Sequence, residues 1–412
     1  MRNPKSEIRN PKEIRNPNSE ITSVVVAAGW SWFGFRNSGF FRISDFGFRI
    51  SPAIFLMAGL LLLQPAASRG AEAISLAGPW RFALDRADAG ISEQWFNRDL
   101  ADKINLPGAL QSQGYGDEIS VKTPWVLSLY DKNWFLREDY RAYTNAGSVK
   151  VPFICQPPRH YLGAAWYQRD VEIPADWKDR RVALFLERPH WESRVWFDDQ
   201  LIGTNNSLCA PHEFELGVAL KPGRHRLTVR VDNRLIMPYR LDAHSVSDSL
   251  GSSWNGIVGK MELRSTPLVW IEDFRVFPNV EEKSVCVRFD VGNATGKEGK
   301  GTYSLFCHAN SNAQRKLAGF PPQGTTGKEL EWGAKGSTVE FAFPMAYLPG
   351  NLWDEFDPTL FVAKLTIEGS DFRDYRQATF GFRDFKADGQ KFFINGRETG
   401  RERGVLRGGY NF

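Results

Sequence analysis

Apolar and polar residues alternate with a period of two through most of the chain from Ile74 onward. In residues 181–187, Val182, Leu184 and Leu186 share one side; Val195 and Phe197 continue the pattern, and Asp198-Asp199-Gln200 turns the chain into Leu201-Ile202-Gly203. Leu227, Val229 and Val231 alternate with Thr228, Arg230 and Asp232 directly after Pro222-Gly223. Period-two alternation broken by closely spaced turns predicts antiparallel sheet with one face buried. Long stretches of helical periodicity are missing. Over residues 74–266 the set of short strands predicts a β-sandwich of jelly-roll type.

A break falls at Ser265-Thr266-Pro267, and a second strand series follows. It comprises 269–277, 285–291, 302–307, 337–343, 361–367 and 378–382, with Gly-rich connectors at 292–301 and 319–327. About seven strands in roughly 110 residues is the arithmetic of an immunoglobulin-like sandwich, here over 267–380. Residues 381–412 begin with two short strands around Asp388-Gly389, closed by an Asn395-Gly396 turn. The fold class is therefore all-β, one sandwich after another.

Composition adds little to this. The 412 residues are 42% hydrophobic and 13% aromatic, enough for real cores, and the net charge is only +4. No basic helix and no Gly-rich phosphate loop accompanies that charge, so nucleic acid is not an expected partner. Six histidines fall in no H-E-x-x-H spacing, and no G-x-S-x-G elbow is present. No metal or cofactor is implied.

Residues 1–52 read as a leader that is non-native or disordered. Arg2-Asn3-Pro4 returns as Arg9-Asn10-Pro11 and Arg15-Asn16-Pro17, and Phe33-Gly34-Phe35-Arg36 as Phe46-Gly47-Phe48-Arg49. These echoes are shorter than solenoid repeats and fit translation of a non-coding repeat upstream of the true start. Residues 53–73 read as a signal peptide. The apolar core 54–63 is too short to span a bilayer, and Ala71-Glu72-Ala73 fits a small-residue cleavage site. The expectation is an exported protein, periplasmic or extracellular, without a stable membrane anchor; the alternative is that the segment stays uncleaved as an N-terminal anchor.

Export would permit disulfides among Cys155, Cys209, Cys286 and Cys307, none of which lies in a C-x-x-C pair. On the strands around them, Cys286 falls opposite the apolar face and Cys307 on it. Those two thiols should point to different sides and not meet.

Several phrases, in order, resemble glycoside hydrolase family 2, the family of β-galactosidases, β-glucuronidases and β-mannosidases. Ala165-Trp166-Tyr167-Gln168-Arg169-Asp170 resembles the strand that opens its sugar-binding jelly roll. Val195-Trp196-Phe197-Asp198-Asp199-Gln200-Leu201-Ile202-Gly203 resembles the central hairpin, with Asp-Gln where the family usually has Asn-Gly. Trp254-Asn255-Gly256-Ile257 resembles the segment that closes the domain, and Leu352-Trp353-Asp354-Glu355-Phe356-Asp357-Pro358 a turn before the last strands of the second domain. Phe392-Phe393-Ile394-Asn395-Gly396 resembles the lead-in to the catalytic (β/α)₈ barrel, so 381–412 would be its truncated start. Leu406-Arg407-Gly408 arrives later than the family pattern has it, and the family arginine's role is not carried to Arg407.

The resemblance implies a retaining β-glycosidase, which needs two carboxyl groups about 5–5.5 Å apart. The family places both glutamates late in the barrel, so no catalytic residue is expected here and the chain alone should be inactive. What remains is a rim that touches carbohydrate. Its substrate-binding candidates are Asp248, Trp254 and Asn255, with Arg159 and His160 from the Pro157–Tyr161 loop. Trp254 could stack on a sugar ring; Asp248 and Asn255 could bond hydroxyls. Alternatively, Trp254 packs in the domain junction and Asn255 caps a turn. The other expected reading is a stand-alone secreted carbohydrate-binding or adhesive sandwich protein; a product without function is the third. Surface meant for the barrel is expected to drive self-association.

Overall fold

The structure, a computed structural model, describes residues 71–145, 147–150, 158–236, 238, 240–241, 247, 249, 253–310, 322–345 and 352–399. The expected leader 1–52, the apolar segment 54–63, Cys155, Asp248 and Leu406-Arg407-Gly408 lie outside the described residues.

The first sandwich is built from β1 (Glu72–Ser75), β2 (Gly78–Asp85), β3 (Asp102–Leu106), β4 (Gly108–Ala109), β5 (Ala164–Ile173), β6 (Arg181–His190), β7 (Glu192–Phe197), β8 (Gln200–Asn205), β9 (His212–Val218), β10 (Gly223–Asp232) and β11 (Gly256–Thr266). One sheet runs β1-β11-β6-β9 with β4 added to β11; the other runs β3-β2-β5-β10-β7-β8. Between β4 and β5 the described residues form short 3₁₀ turns and one short helix, α1 (Val126–Tyr130). The alternating residues meet between the sheets: Val182, Leu184 and Leu186 from one, Val195, Leu227, Val229 and Val231 from the other, with Trp80, Phe82, Tyr167 and Trp177 filling the middle. Each such side chain withdrawn from water contributes about 2 kcal/mol.

The one-sided reading of the six-stranded sheet is corrected by its outer face. Gln168, Thr228, Arg230 and Asp232, polar by parity, are all buried. The excursion between β2 and β3 folds back over them, and Trp95, Phe96 and Leu100 pack with Trp166 and Trp196. Phe96 stacks on Trp196 at 5.2 Å and Trp196 on Trp166 at 5.0 Å. The close approach needs Gly90, since a Cβ there would lie 2.5 Å from the Trp166 indole nitrogen.

Two resembled strands hold other places than expected. β5, read as the opening strand, is the fifth and sits between β2 and β10; the β7–β8 hairpin ends the sheet, with β8 at its edge. The turn of that hairpin is Asp198-Asp199, because Gln200 already pairs with Phe197. The local sequence supplies a turn but not its phase, and Asp198 takes the left-handed φ of +55°.

The second sandwich comprises β12 (Val269–Asn279), β13 (Ser284–Asn293), β14 (Gly299–Ala309), β15 (Gln323–Trp332), β16 (Ser337–Pro344), β17 (Phe361–Glu368) and β18 (Arg373–Phe380). Its sheets run β12-β13-β16 and β15-β14-β17-β18. Val285, Val287, Phe289 and Val291 face Leu305, Cys307, Ala363 and Leu365 across the core. β15 replaces part of the expected connector 319–327; it is an edge strand exposed along most of its length, so it lacks the alternation that betrays a strand. Cys307 is buried and Cys286 sits on the other face beside Glu340, both free thiols, as the parity argument requires. Burial lifts the Cys307 thiol to about 12, so it stays protonated.

Polar contacts join the two sandwiches. Asp374 of β18 is buried and accepts from the Ile271 amide at 2.9 Å and from that of Ala71 at 3.2 Å. Arg181 of β6 lies 4.3 Å over the Trp270 ring. Finally β19 (Phe385–Asp388), β20 (Lys391–Ile394) and β21 (Arg397–Thr399) form a small sheet, with both Asn395 (φ +53°) and Gly396 (φ +77°) left-handed, as a type I′ turn requires. It is fastened to the Leu352-Trp353-Asp354-Glu355 turn: Asn395 donates to the Trp353 carbonyl, and Arg397 Nη2 donates to both Glu355 carboxylate oxygens at 3.0 Å. Every strand pairing among the described residues is antiparallel.

Candidate functional site

The candidate rim lies at one end of the first sandwich, where β6 and β10 end and β11 begins. Asn255 is its hub and is 0% exposed. Its carbonyl accepts the Tyr167 hydroxyl at 2.8 Å; its amide donates to the Gly163 and Val231 carbonyls at 3.0 Å each. Its backbone N–H donates to the Gln111 side chain at 3.1 Å, and its backbone carbonyl accepts from Leu110 at 2.9 Å. One asparagine thus binds four separate segments. No part of it faces solvent, so the expected contact to a sugar hydroxyl has no surface to act through. Its work is internal, which corrects that expectation.

Asn233 completes the frame. Its amide donates to the Tyr161 carbonyl at 2.9 Å and the Trp254 carbonyl at 3.2 Å, and its side-chain oxygen accepts from Gly163 at 2.9 Å. Nothing in the sequence motifs pointed to Asn233, because an asparagine just after a strand reads as an ordinary turn residue. Gly256, next along, has φ +145°, and a Cβ would meet the Gly108 carbonyl at 2.3 Å. Only glycine lets β11 enter beside β4 here.

Trp254 is half-buried and stacks on His190 at 4.7 Å with the rings 26° apart. Burial drives the His190 pKa down to about 4, so the imidazole is neutral near pH 7. Arg159 reaches Glu118 at 3.2 Å, and the His160 backbone pairs with Asp117 in an isolated bridge. The loop carrying both runs into Tyr161 and Gly163, the partners of Asn233 and Asn255. The frame therefore draws Trp254, His190 and the 158–163 loop to one end, whereas Asn255 serves beneath them.

A second polar cluster sits on the outer face. Asp232 accepts from Arg230 at 2.9 Å and, through its other oxygen, from the Arg234 guanidinium at 2.9 Å; Asp88 bridges the same two arginines at 2.7 Å each. Burial opposes charge on Asp232, but the two guanidinium groups hold its carboxyl below the usual range. Asp85 spends both oxygens on the Ala89 and Gly90 amides and the Trp166 indole. Ser193 and His212 make a 2.6 Å contact that looks like a nucleophile and its base. Both are 0% exposed, and the other ring nitrogen contacts the Ser207 carbonyl, so the pair is sealed from substrate. An open depression of about 580 Å³ lies elsewhere, at the far end of β10 beside Arg224 and Arg226. From there to Asp232 the strand spans roughly 20–25 Å, so the depression is separate from the rim.

Two outcomes follow from this geometry. Asn255→Ala leaves several buried partners unsatisfied and lowers unfolding free energy by about 3 kcal/mol or more, while Tyr167→Phe costs about 1–2 kcal/mol; urea denaturation measures both. His190 and His212 are both held neutral by burial in the folded state. Their folded pKa values lie below the unfolded value, so the stability they allow is intact above about pH 6.5 and declines as pH falls toward the folded values. For His190, between about pH 6.5 and about 4, the loss is roughly 2–3 kcal/mol. Urea midpoints from pH 7 down to 4.5 should show it, and His190→Gln should flatten the decline.

The family described as "Glycosyl hydrolases family 2, sugar binding domain" matches residues 74–134 and 122–267, which hold the first sandwich and its rim. The β-glucuronidase of Pongo abelii is 22% identical over 373 residues, covering 84% of this chain and 50% of that protein. The β-galactosidase of Arthrobacter sp. (strain B7) is 24% identical over 339 residues, covering 80% of this chain and 29% of that protein. The solved β-glucuronidase 2 of Bacteroides uniformis superposes with a TM-score of 0.55 at 18% identity, over 79% of this chain and 34% of that one. The chain thus spans half or less of the length of these relatives. The matched sugar-binding domain, with relatives that are β-glucuronidases and β-galactosidases, places this chain in glycoside hydrolase family 2.

Proposed function

We propose that this chain is the glycan-framing, non-catalytic portion of an exported family 2 glycosidase acting on β-glucuronides or β-galactosides. The carrying observation is the rim: a half-buried Trp254 on a neutral His190, clamped by Asn233 and Asn255 at the end of a sugar-binding sandwich. An indole edge held this rigidly can border a pyranose without losing much side-chain freedom. Units 74–266 and 267–380 would act as one scaffold, with Arg181 of the first over Trp270 of the second. The carboxyl groups buried among the described residues, Asp85, Asp232 and Asp374, are each committed to amide, indole or guanidinium partners. That commitment supports a framing role over a hydrolytic one.

Export remains part of the reading, with one adjustment. The expected cleavage site falls on β1, whose Glu72 pairs with Ser265 and accepts the Trp177 indole N–H. Processing that preserves β1 must cut upstream of Glu72.

Hydrolysis of nitrophenyl β-glucuronide and β-galactoside by the purified chain tests the central part. The expected result is no turnover, with glucuronate or galactose binding at millimolar strength or weaker by calorimetry. Turnover abolished by a substitution within 74–380 would refute it; micromolar glycan affinity would favour the stand-alone binding protein. Exposed Tyr130 (73%), Leu136 (74%) and Leu241 support self-association. Sizing chromatography should show elution earlier than a 412-residue monomer as concentration rises, and a concentration-independent monomer would count against it.

A further inference from the structure

His225 stands on β10 with the parity of Leu227, Val229 and Val231, so it occupies the last core-facing place at the end of the sandwich. Its side chain is 14% exposed and its ring lies against Phe197 at 4.8 Å, 19° from parallel. Nδ1 is 2.8 Å from Asp198 Oδ2, and Nε2 is 2.7 Å from the Lys221 carbonyl. Both neighbours are acceptors. A neutral imidazole has one N–H and can satisfy only one of them; the imidazolium has two and satisfies both. Asp198 is itself tied down, accepting the Arg226 amide at 2.9 Å through Oδ1 and donating its own amide to the Arg226 carbonyl at 2.7 Å.

We infer that His225 is a proton-operated latch: charged, it clamps the Asp198-Asp199 turn and the loop before β10 onto one ring; neutral, it releases one of them. The surrounding charges favour the closed form. Asp198 and Asp199 approach from the β7–β8 turn, and Asp170 and Glu172 from β5; Lys221, Arg224 and Arg226 are the nearby cations. Arg224 is drawn off to Asp170 and Arg226 to Asp99. Partial burial opposes charge on His225, yet the Asp198 bond, the Lys221 carbonyl and the Glu172 field outweigh it, and the ring titrates above its ordinary value. The sign is opposite to that of His190: the contribution is fully present below about pH 6.5 and is lost as pH rises through the raised folded pKa. The latched turn is a wall of the open depression that Phe96, Asn97 and Arg226 also line, so release reshapes that surface.

Proton NMR titration of the full chain tests the latch, with the His225 ring resonance assigned by its loss in His225→Asn. The expected pKa is above 6.5, falling in Asp198→Asn. Hydrogen exchange, corrected for intrinsic rates, should show protection dropping about tenfold as pH passes the measured pKa, either at the Asp198 and Arg226 amides or in the loop before β10, according to which neighbour the neutral ring releases. A His225 pKa at or below 6.5 in the unmodified chain overturns the latch, whether or not the variants fold. So does protection that is independent of pH.

Discussion

A desolvated asparagine amide holds one end of the first sandwich together. Asn255 lies just before β11 and bonds β5 and β10 of the six-stranded sheet, the Tyr161–Gly163 loop and the Leu110–Gln111 turn. In a medium of low polarity such bonds are strong, and any one left unmade leaves a buried dipole uncompensated. Apolar packing alone would close the sandwich but would not fix how its end loops meet. Asn233 repeats the device one layer out and locks Trp254 from behind. The rim's orientation is thus set from below by buried polar bonds.

The same economy governs the charged residues. On the outer face, Arg230 and Asp232 would be costly to bury singly; covered by the 86–100 excursion, they form a closed group with Asp88 and Arg234. Histidines divide by surroundings. His190 and His212 face rings and carbonyls and burial lowers their pKa values, whereas His225 faces a carboxylate and a carbonyl that raise its own. One sandwich therefore carries histidine contributions to stability that run in opposite directions with pH.

Much of the fold was legible because strand parity is a strong signal. Val182, Leu184, Leu186, Leu227, Val229 and Val231 face the core as their alternation requires, and Cys286 and Cys307 part as their parities require. What the pattern hid was the second covering. Thr228, Arg230 and Asp232 look solvated to any period-two reading, because polarity records chemistry and not whether another segment lies on top. β15 escaped notice since an exposed edge strand needs no alternation. In the Trp254-Asn255-Gly256 phrase the three residues do different work, which the sequence does not separate. Gly256 admits the strand, Asn255 braces it, and Trp254 alone presents a surface. Asn233 and His190 could not be found from sequence, because their meaning comes from partners more than twenty residues away or on another strand.

The central claim is that the Asn255 frame is as rigid as the core beneath it. Native-state hydrogen exchange of the Gly163, Asn233 and Asn255 amides measures this most directly. The account predicts that these three exchange only by global unfolding, with the same free energy as the Val229 amide in β10. Exchange through a low-energy local opening, while Val229 stays protected, would contradict it.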